Sequence, residues 1–318
     1  MNVFDSTIPF EERALSVFKH QAKNCVVYNQ FINHLNLHSS SINEFEKIPF
    51  LPIEFFKSHK IISTNNTIEK IFTSSGTTKN QLSQHFITDL SIYKKSFQLG
   101  FQHFYGNIRN YRILALLPSY LEKGDSSLVY MCKNLIEQSK DSESGFYLHN
   151  LEELSKILNK KSRKKTLLIG VSYALLDLAE RFPQQLNNTI LMETGGMKGK
   201  RKELTKKDLH SKLCKSFGLK NIHSEYGMTE LLSQAYSKKN GVFESPEWMQ
   251  IKIRATDDPL SHIGLNRSGG VNIIDLANIN SCSFIATQDL GISYTKQQFE
   301  LLGRFDHSDV RGCNLLIQ

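Results

Sequence analysis

The sequence is poor in cysteine and has no long apolar segment. Its 318 residues include 5 cysteines, an odd number without a CxxC pair, and this spacing indicates neither a zinc site nor a disulfide framework. No apolar run approaches the ~18 residues of a transmembrane helix, and residues 1–5 lack the basic start of a secretory signal. We therefore expect a cytoplasmic protein with reduced thiols and no stable membrane insertion.

The charge of the chain is basic but dispersed. Lysines and arginines number 39 against 31 acidic residues, which gives a formal charge of +8. Only residues 159–165 form a dense basic cluster, and such a run is typical of a solvated loop or helix end. We therefore expect no nucleic-acid partner. The 40% hydrophobic content is enough for a sizeable globular core, and neither an internal repeat nor a low-complexity linker divides the chain.

Apolar runs alternate with amphipathic segments over the first two thirds of the chain. The apolar runs predict buried strands of a mainly parallel sheet at residues 112–118, 166–171 and 189–193. Helical spacing predicts helices at residues 91–104, 126–135 and 172–181, the last with Ser172 as its N-cap. Alternating strands and helices indicate an α/β fold, in which ligands bind at the carboxyl ends of the strands.

The two ends of the sequence have a different pattern of apolar and polar residues from the middle. Residues 1–48 predict two amphipathic helices, whose apolar positions are Phe10, Ala14, Val17, Phe18, Val26, Val27, Phe31, Ile32 and Leu35. Two prolines within residues 48–57 predict an extended connector, because neither a helix nor a central strand accommodates them. From about Glu244, short alternating segments predict an antiparallel or barrel-like subdomain, at residues 249–254, 270–275 and 283–287.

Residues 71–80 join an apolar lead-in to a run of hydroxyl residues around one glycine. The run consists of Thr73, Ser74, Ser75, Gly76, Thr77 and Thr78. Gly76 lets the backbone approach an anion, and the flanking N–H and hydroxyl groups can donate to phosphate oxygens. The segment lacks the Lys-Ser/Thr ending of a Walker loop, which disfavours a P-loop kinase or GTPase. A solvated turn is the alternative interpretation.

Later segments place further polar groups near the ends of predicted strands. Gly195 and Gly196 follow the strand at 189–193, and residues 225–230 combine an aromatic ring, a glycine, a hydroxyl and a carboxylate. Asp289 comes directly after the predicted strand 283–287. Arg304 lies in a turn-rich segment, residues 303–313.

In this order, the segments resemble the motifs of the adenylate-forming superfamily of acyl and aryl ligases. The hydroxyl run is similar to the phosphate loop of that superfamily, Gly195-Gly196 to its adenosine-contacting glycines, and residues 226–230 to its signature. The Arg304 segment resembles its hinge. More narrowly, residues 49–57 and 117–131 resemble the LuxE-type acyl-protein synthetases, and this resemblance extends from about residue 45 to the end of the sequence.

The resemblance implies an architecture and a reaction. It implies an adenylation domain at residues 1–302, with mixed and parallel sheets flanked by helices and a small β subdomain, and a hinge with a short C-terminal remnant at residues 303–318. It implies ATP and Mg²⁺ as cofactors, a carboxylic acid of the fatty type as substrate, and a protein as acyl acceptor or donor. The expected reaction forms acyl-AMP and passes the acyl group to a protein cysteine thiol.

Within that family pattern, residue chemistry suggests individual roles. Tyr226 offers a flat face for adenine, Thr229 can donate to the α-phosphate, and Glu230 supplies a hard oxygen ligand for Mg²⁺. Asp289 can accept from the ribose hydroxyls, and Arg304 can donate to ribose or phosphate. The expected cofactor-binding set is Thr73, Ser74, Ser75, Gly76, Thr77, Thr78, Gly195, Gly196, Tyr226, Gly227, Asp289 and Arg304; the expected catalytic set is Thr229, Glu230 and Cys313.

Structural interpretations of these residues remain open at this point. Glu230 can be a carboxylate at the start of a helix, Asp289 a turn former and Tyr226 a core residue. Cys313 matches the cysteine near the C-terminus that carries the acyl group in the family, and Arg304 and Arg311 beside it would lower its pKa. The alternative for Cys313 is a small buried side chain.

The sequence departs from the superfamily pattern in two places. Lys79-Asn80 follows the hydroxyl run where the superfamily has Gly and then Lys, and the sequence ends just beyond the hinge motif. Two other functions are therefore kept as alternatives, an acid:CoA ligase of the phenylacetate type and a non-catalytic nucleotide-binding subunit.

Overall fold

A computed structural model describes residues 2–74, 82–118, 125–148, 150–195 and 204–305. The helices are α1 Phe10–Asn24, α2 Val26–His34, α3 Phe55–Ser58, α4 Leu90–Tyr105, α5 Ser127–Ser139, α6 Leu151–Asn159, α7 Ser172–Arg181 and α8 Lys206–Phe217. The strands are β1 Leu51–Pro52, β2 Lys70–Thr73, β3 Gln84–Ile87, β4 Tyr111–Leu116, β5 Gly145–Phe146, β6 Lys165–Val171, β7 Thr189–Thr194, β8 His223–Tyr226, β9 Ala235–Ser237, β10 Val242–Glu244, β11 Met249–Arg254, β12 His262–Ile263, β13 Ser268–Asp275, β14 Phe284–Ser293 and β15 Gln298–Arg304.

One large sheet dominates the described part of the chain. Its 13 strands follow the order β12-β11-β13-β14-β15-β10-β9-β8-β7-β6-β4-β5, with β1 added alongside β14. The strands β5, β4, β6, β7 and β8 pair in parallel, and the remaining neighbours on this path pair antiparallel. The sheet therefore has a parallel half and an antiparallel half, which meet where β8 pairs with β9. β15 lies within the antiparallel half, between β14 and β10.

The parallel half confirms the α/β prediction. β4 is buried along its whole length, and β6 and β7 are buried at all but their first residue, as expected for strands covered on both faces. Helices precede or follow these strands at nearly the predicted bounds. The antiparallel segments near the end of the sequence are also confirmed, but they belong to the same sheet as the parallel strands rather than to a separate one.

The N-terminal helices pack against the antiparallel half. Phe18 of α1 and Tyr28 of α2 contact Phe284 at the start of β14, with ring centroids 6.1 and 6.2 Å from it. The hydroxyl of Tyr28 donates to the carbonyl of Pro49 at 2.5 Å, which holds the proline-containing connector. Val26, expected on the apolar face, is 67% exposed because it begins α2 at the surface.

The connector and one helix start differ from the prediction. Residues 48–57 are extended only as far as β1, which pairs in parallel with β14, and then turn into α3. The N-cap of α7 is Val171 rather than Ser172. Ser172 is the first helical residue, and its hydroxyl donates to the carbonyl of Gly195 at 2.7 Å. Among the described residues, no helix is long and apolar enough to span a membrane.

Candidate active site

The hydroxyl run begins at the end of one strand of an antiparallel pair, β2 and β3. β2 and β3 pair antiparallel from Lys70 to Thr73, and the pairing continues one residue further, where the Ser74 N–H donates to the Ser83 carbonyl at 3.0 Å. The Ser83 N–H donates in turn to the Ser74 hydroxyl at 3.0 Å. Thr73 and Ser74 thus lie at the mouth of the hairpin. Ser75, Gly76, Thr77 and Thr78 lie outside the described residues.

Glu230 lies against this hairpin base. Its side chain is only 6% exposed, and burial raises the pKa of its carboxyl, while a hydrogen bond from Ser83 and the charges of Arg304 and Lys57 act in the opposite direction. Thr229 and Glu230 form a turn rather than the start of a helix. The helix-start interpretation of Glu230 is therefore wrong, and this carboxylate instead meets the segment that leads into the hydroxyl run.

The carboxylate of Glu230 has the chemistry of a ligand for a hard cation. Within the described ranges, no lysine or arginine approaches it within salt-bridge distance, and these ranges hold no cluster of three or more His, Cys, Asp or Glu side chains that could bind a metal ion alone. A single buried carboxylate suits Mg²⁺, which usually takes one or two protein carboxylates and completes its shell with phosphate oxygens and water.

Tyr226, Asp289 and Arg304 form one connected group. The Tyr226 hydroxyl donates to Asp289 Oδ2 at 2.6 Å, and Arg304 Nε donates to Asp289 Oδ1 at 3.1 Å. Asp289 and Arg304 are register partners on β14 and β15. The Tyr226 ring contacts Phe243 and Phe299, with centroids 5.8 and 5.6 Å away, and the residue is 8% exposed.

The two charged side chains of this group, Asp289 and Arg304, differ in their exposure to solvent. The Asp289 side chain is 10% exposed, whereas that of Arg304 is 72% exposed. Burial, followed by the adjacent Asp289 carboxylate, raises the pKa of Tyr226 well above its usual range, so its hydroxyl remains a proton donor to Asp289. Solvent screens the Arg304 pair, which therefore contributes little stability, and the exposed guanidinium is accessible to an anionic ligand.

Two polar residues hold the turn that carries Thr229 and Glu230. His85 of β3 is buried, and burial lowers its pKa to about 4, so the ring is neutral at pH 7. Its Nδ1–H donates to the Thr229 carbonyl at 2.8 Å, which leaves Nε2, 3.0 Å from Ser281 Oγ, as an acceptor. Asn278 Nδ2 donates to the Glu230 carbonyl at 2.8 Å.

A buried aspartate holds the residues that follow this turn. Asp275, at the end of β13, accepts from the N–H groups of Leu232 and Ser233, both at 2.9 Å, and from the Ser233 hydroxyl at 2.6 Å. It also accepts from the Ala277 N–H at 3.1 Å. Burial raises the pKa of Asp275 to about 6, and these hydrogen bonds oppose the shift. The segment after Tyr226 is therefore fixed by the antiparallel half of the sheet.

The sequence matches the profile of the LuxE acyl-protein synthetases over residues 5–318. The chain belongs to this family. A search of curated protein sequences gave no match.

Solved structures support the fold of this LuxE-family chain. It superposes on 2-hydroxyisobutyryl-CoA ligase in complex with its acyl adenylate with a TM-score of 0.68 at 10% identity, covering 93% of this chain and 67% of that one. ATP-bound MatB from Rhodopseudomonas palustris gives 0.58 at 13% identity, covering 76% and 49%. MenE from Bacillus subtilis, with ATP and magnesium ion, gives 0.53 at 15% identity, covering 76% and 51%.

The chain therefore spans about half the length of the MatB and MenE chains. At these identities the likeness establishes the fold, which is that of adenylate-forming enzymes.

Most of the described site residues predicted from sequence lie close together in this LuxE-family chain. Glu230 meets the base of the hydroxyl run, and Tyr226 and Arg304 each contact Asp289. Gly195 directly follows β7 and has a φ of 69°, a conformation that favours glycine. Gly196 and Cys313 lie outside the described residues.

Asp289 and Arg304 occupy positions that differ from the prediction. Asp289 was expected directly after a strand, but β14 continues to Ser293. Arg304 was expected in a turn, but it is the last residue of β15. Pairing of β14 with β13 is interrupted by a register shift between Ala286 and Leu290, and pairing with β15 begins at Asp289. The partner strand β15 therefore keeps Asp289 within the sheet.

Sequence reasoning missed the buried residues that position the backbone and side chains of the candidate site. Glu225, His85, Ser83 and Asp275 are all buried, and His85, Ser83 and Asp275 are single polar residues without periodic or motif context. Only Glu225 had a sequence signal, because it is the first residue of the segment 225–230 and immediately precedes Tyr226.

Proposed function

We propose that this chain uses ATP and Mg²⁺ to activate a fatty acid as acyl-AMP and then transfers the acyl group to a protein cysteine thiol. The observation that carries the proposal is the meeting of residues 226–230 with two other segments: Tyr226 contacts Asp289, and Glu230 contacts the hairpin base at Ser83. Membership of the LuxE acyl-protein synthetase family supports the same reaction.

In this proposal the nucleotide lies across the carboxyl ends of β7 and β8. Adenine stacks on Tyr226 and contacts the backbone at Gly195 and Gly227, where small residues allow close approach. Asp289 accepts from the ribose hydroxyls. Because the Tyr226 hydroxyl already donates to Asp289, this aspartate is held in place before the ribose arrives, which lowers the entropic cost of binding.

The phosphates are held by the hairpin mouth and by cationic groups. Ser74 and the hydroxyl residues beyond it donate to phosphate oxygens, and Thr229 donates to the α-phosphate. Arg304 is exposed and lies near Glu230 and Asp289, so its guanidinium can reach the ribose or the α-phosphate. Glu230 would hold Mg²⁺, which when bound neutralises charge on the phosphates.

The first step is attack on phosphorus. A carboxylate oxygen of the acid forms a bond to the α-phosphorus, the bond from that phosphorus to the bridging oxygen of the β-phosphate breaks, and pyrophosphate leaves. A carboxylate is already ionised at neutral pH, so the step needs positioning and charge stabilisation rather than a general base. The residues above supply the hydrogen bonds that stabilise the developing charge.

The second step requires a thiolate. Its sulfur forms a bond to the acyl carbon, the bond between that carbon and the phosphate oxygen breaks, and AMP leaves, while the thiol proton passes to solvent. Cys313 is the proposed acceptor within this chain, with a partner protein as the onward donor or acceptor. We further propose that residues 1–302 belong to the adenylation domain and that residues 303–318 contain the hinge.

A labelling experiment tests both steps. The purified chain is incubated with radiolabelled fatty acid and ATP·Mg²⁺, and label that survives denaturation and is released by hydroxylamine is measured in wild type and Cys313→Ala. Cys214→Ala is the matched control, because Cys214 is half-buried and lies on α8. We expect retained label in wild type and in the control, and none in Cys313→Ala.

Acid-dependent exchange of labelled pyrophosphate into ATP separates the two steps. Exchange without retained label would support adenylation and overturn transfer to Cys313. Formation of free acyl-CoA after addition of CoA would favour an acid:CoA ligase. Absence of exchange with a broad panel of acids would overturn the proposed activity and favour a non-catalytic nucleotide-binding subunit.

A further inference from the structure

Glu225 is a buried carboxylate that the proposed chemistry does not use. It is the third residue of β8, directly before Tyr226, and is 7% exposed. Burial raises the pKa of Glu225 to about 7, a hydrogen bond from Thr194 opposes this shift, and the negative charge of Glu193 adds to it. A charge-bearing group is rarely retained in such a position without a specific partner.

One oxygen of Glu225 is bound to the end of the neighbouring strand. The Thr194 hydroxyl donates to Glu225 Oε2 at 2.5 Å. Thr194 is the last residue of β7 and is the register partner of Glu225 across the parallel pair. Gly195, one of the proposed adenosine contacts, follows immediately. This hydrogen bond therefore fixes the position at which the chain leaves β7.

The other oxygen of Glu225 lies against the turn after its own strand. A Cβ atom placed on Gly227 would lie 2.5 Å from Glu225 Oε1, closer than real Cβ contacts allow. The carboxylate therefore covers the Cα of Gly227 and occupies the space that any side chain there would need. Gly227 lies within the segment proposed to contact the nucleotide.

A third loop is connected to the same point. The Ser172 hydroxyl, at the start of α7, donates to the Gly195 carbonyl at 2.7 Å. Gly195 is thus held from one side by Ser172 and from the other, through the adjacent Thr194, by Glu225. The ends of β6, β7 and β8 are linked through these contacts, and all three face the proposed nucleotide site.

We propose that Glu225 is a positioning residue that connects Thr194 and Gly195, at the end of β7, to Gly227 in the turn after β8, and so sets the spacing between Gly195 and Gly227 in the nucleotide site. The identity of the ligand, a nucleotide, rests on the proposed function. The contacts of Glu225 with Thr194 and Gly227 do not depend on it. Glu225 acts through Thr194 and Gly227 and does not itself touch the nucleotide. Its role requires an acceptor for the Thr194 hydroxyl and the shape of a planar group beside Gly227.

The geometry predicts which substitutions preserve the connection. Glu225→Gln keeps an acceptor oxygen and the planar shape, whereas Glu225→Ala removes both. Thr194→Val removes only the donor. Gly227→Ala leaves the donor and acceptor but displaces the carboxylate. The matched control is Thr166→Val, which makes the same substitution near the start of the neighbouring strand β6, away from the carboxyl ends of the strands. Thr166 is 6% exposed against 4% for Thr194.

The first measurement is the dissociation constant for ATP, obtained by calorimetric titration of each folded variant. We expect about a tenfold increase in Glu225→Ala and about a fivefold increase in Thr194→Val, with Glu225→Gln within threefold of wild type and Thr166→Val unchanged. The double variant Thr194→Val with Glu225→Ala should be no worse than Glu225→Ala alone, because both changes remove the same hydrogen bond.

The second measurement is hydrogen exchange of the chain without nucleotide. We expect faster amide exchange at residues 189–195 and 226–234 in Glu225→Ala and Gly227→Ala, and no change there in Thr166→Val. Unchanged exchange and unchanged ATP affinity in Glu225→Ala would overturn the inference, as would equal effects from Thr166→Val. If Glu225→Ala does not fold, Thr194→Val supplies the same test with a smaller change.

These two measurements separate the inference from the proposed function. If the wild-type chain does not bind ATP, the proposed function fails, and the exchange data alone then decide whether Glu225 connects the two segments. If ATP binds but the variants do not differ from wild type, the proposed function stands and the role of Glu225 is overturned.

Discussion

The Tyr226 hydroxyl donates a hydrogen bond of 2.6 Å to Asp289 Oδ2, although the two residues are 63 positions apart in the sequence. Tyr226 belongs to the last parallel strand of the sheet and Asp289 to a central strand of the antiparallel half. The proposed adenine and ribose contacts are therefore joined by a direct bond between the two halves of the sheet.

Tyr226→Phe should weaken both the fold and nucleotide binding. The change removes the donor to a buried carboxylate, which costs on the order of 1–3 kcal/mol in the free energy of unfolding, and it frees Asp289 to move. Denaturant titration and ATP titration measure the two effects. Tyr28→Phe is the matched control, because it removes another buried tyrosine donor far from the site, and it should reduce stability without changing ATP affinity.

Glu230→Gln should abolish most of the acid-dependent pyrophosphate exchange. An amide keeps the shape of the side chain and an acceptor for Ser83, but it removes the charge that would hold Mg²⁺, so kcat/KM should fall about 100-fold or more. The Mg²⁺ concentration for half-maximal exchange should rise in parallel. The same change at exposed Glu244 should have no effect, and retention of normal Mg²⁺ dependence in Glu230→Gln would exclude the assigned role.

Glu225→Gln should change how the free energy of unfolding depends on pH. The folded-state pKa of Glu225 is about 7 against a reference value of 4.5, so the folded state binds more protons between these values. Glu225 therefore lowers stability as pH rises from about 4.5 to about 7, by an amount on the order of 3 kcal/mol. The stability gained by the variant should be small at pH 4.5 and largest above pH 7.

Denaturant titrations at pH 5, 6, 7 and 8 measure this difference. Glu152→Gln serves as the control, since the Glu152 side chain is 65% exposed and its loss removes one charge without relieving burial. A gain in stability that is equal at all four pH values would contradict the assignment of a raised pKa to Glu225.

Asp275→Asn should be the most destabilising of these changes. Asp275 accepts from three backbone N–H groups and one hydroxyl, and an amide in its place would direct N–H donors at some of those donors. We expect a loss of about 2–4 kcal/mol by denaturant titration. Asp208→Asn, at the exposed N-terminus of α8, should cost much less, and a similar cost at both positions would argue against the importance of the buried network.

The parallel half of the sheet was predictable because burial on both faces leaves a clear pattern. The segments that became β4, β6 and β7 are continuous apolar runs, and helices of suitable length separate them. The strand β14 was recognised only in its first half, since Asp289 and its polar neighbours suggest a strand end. Pairing with strands on both sides decides the true bounds, and that information is not local.

The motif residues of the candidate site were selected from sequence and stay a prediction, whereas the residues that hold them in place were not selected. Tyr226, Glu230, Asp289 and Arg304 were recognised from short patterns that resemble a known family. His85 contacts the carbonyl of Thr229 across 144 residues, and a lone histidine followed by phenylalanine gives no hint of such a contact. Glu225 gave the weakest usable signal, because its neighbours in the motif indicate a site but not that its carboxylate is buried.

The central place of β15 in the sheet has a consequence for the order of folding. Strands β14 and β10 are joined only through residues 298–304, so the strands on the β14 side of β15 and those on its β10 side cannot form one sheet on the ribosome until those residues have emerged from the exit tunnel. Domains generally fold as units during synthesis, and here the edges of β14 and β10 that face β15 stay unpaired until then. Exposed strand edges promote aggregation, so nascent chains that stall before residue 298 should depend strongly on chaperones.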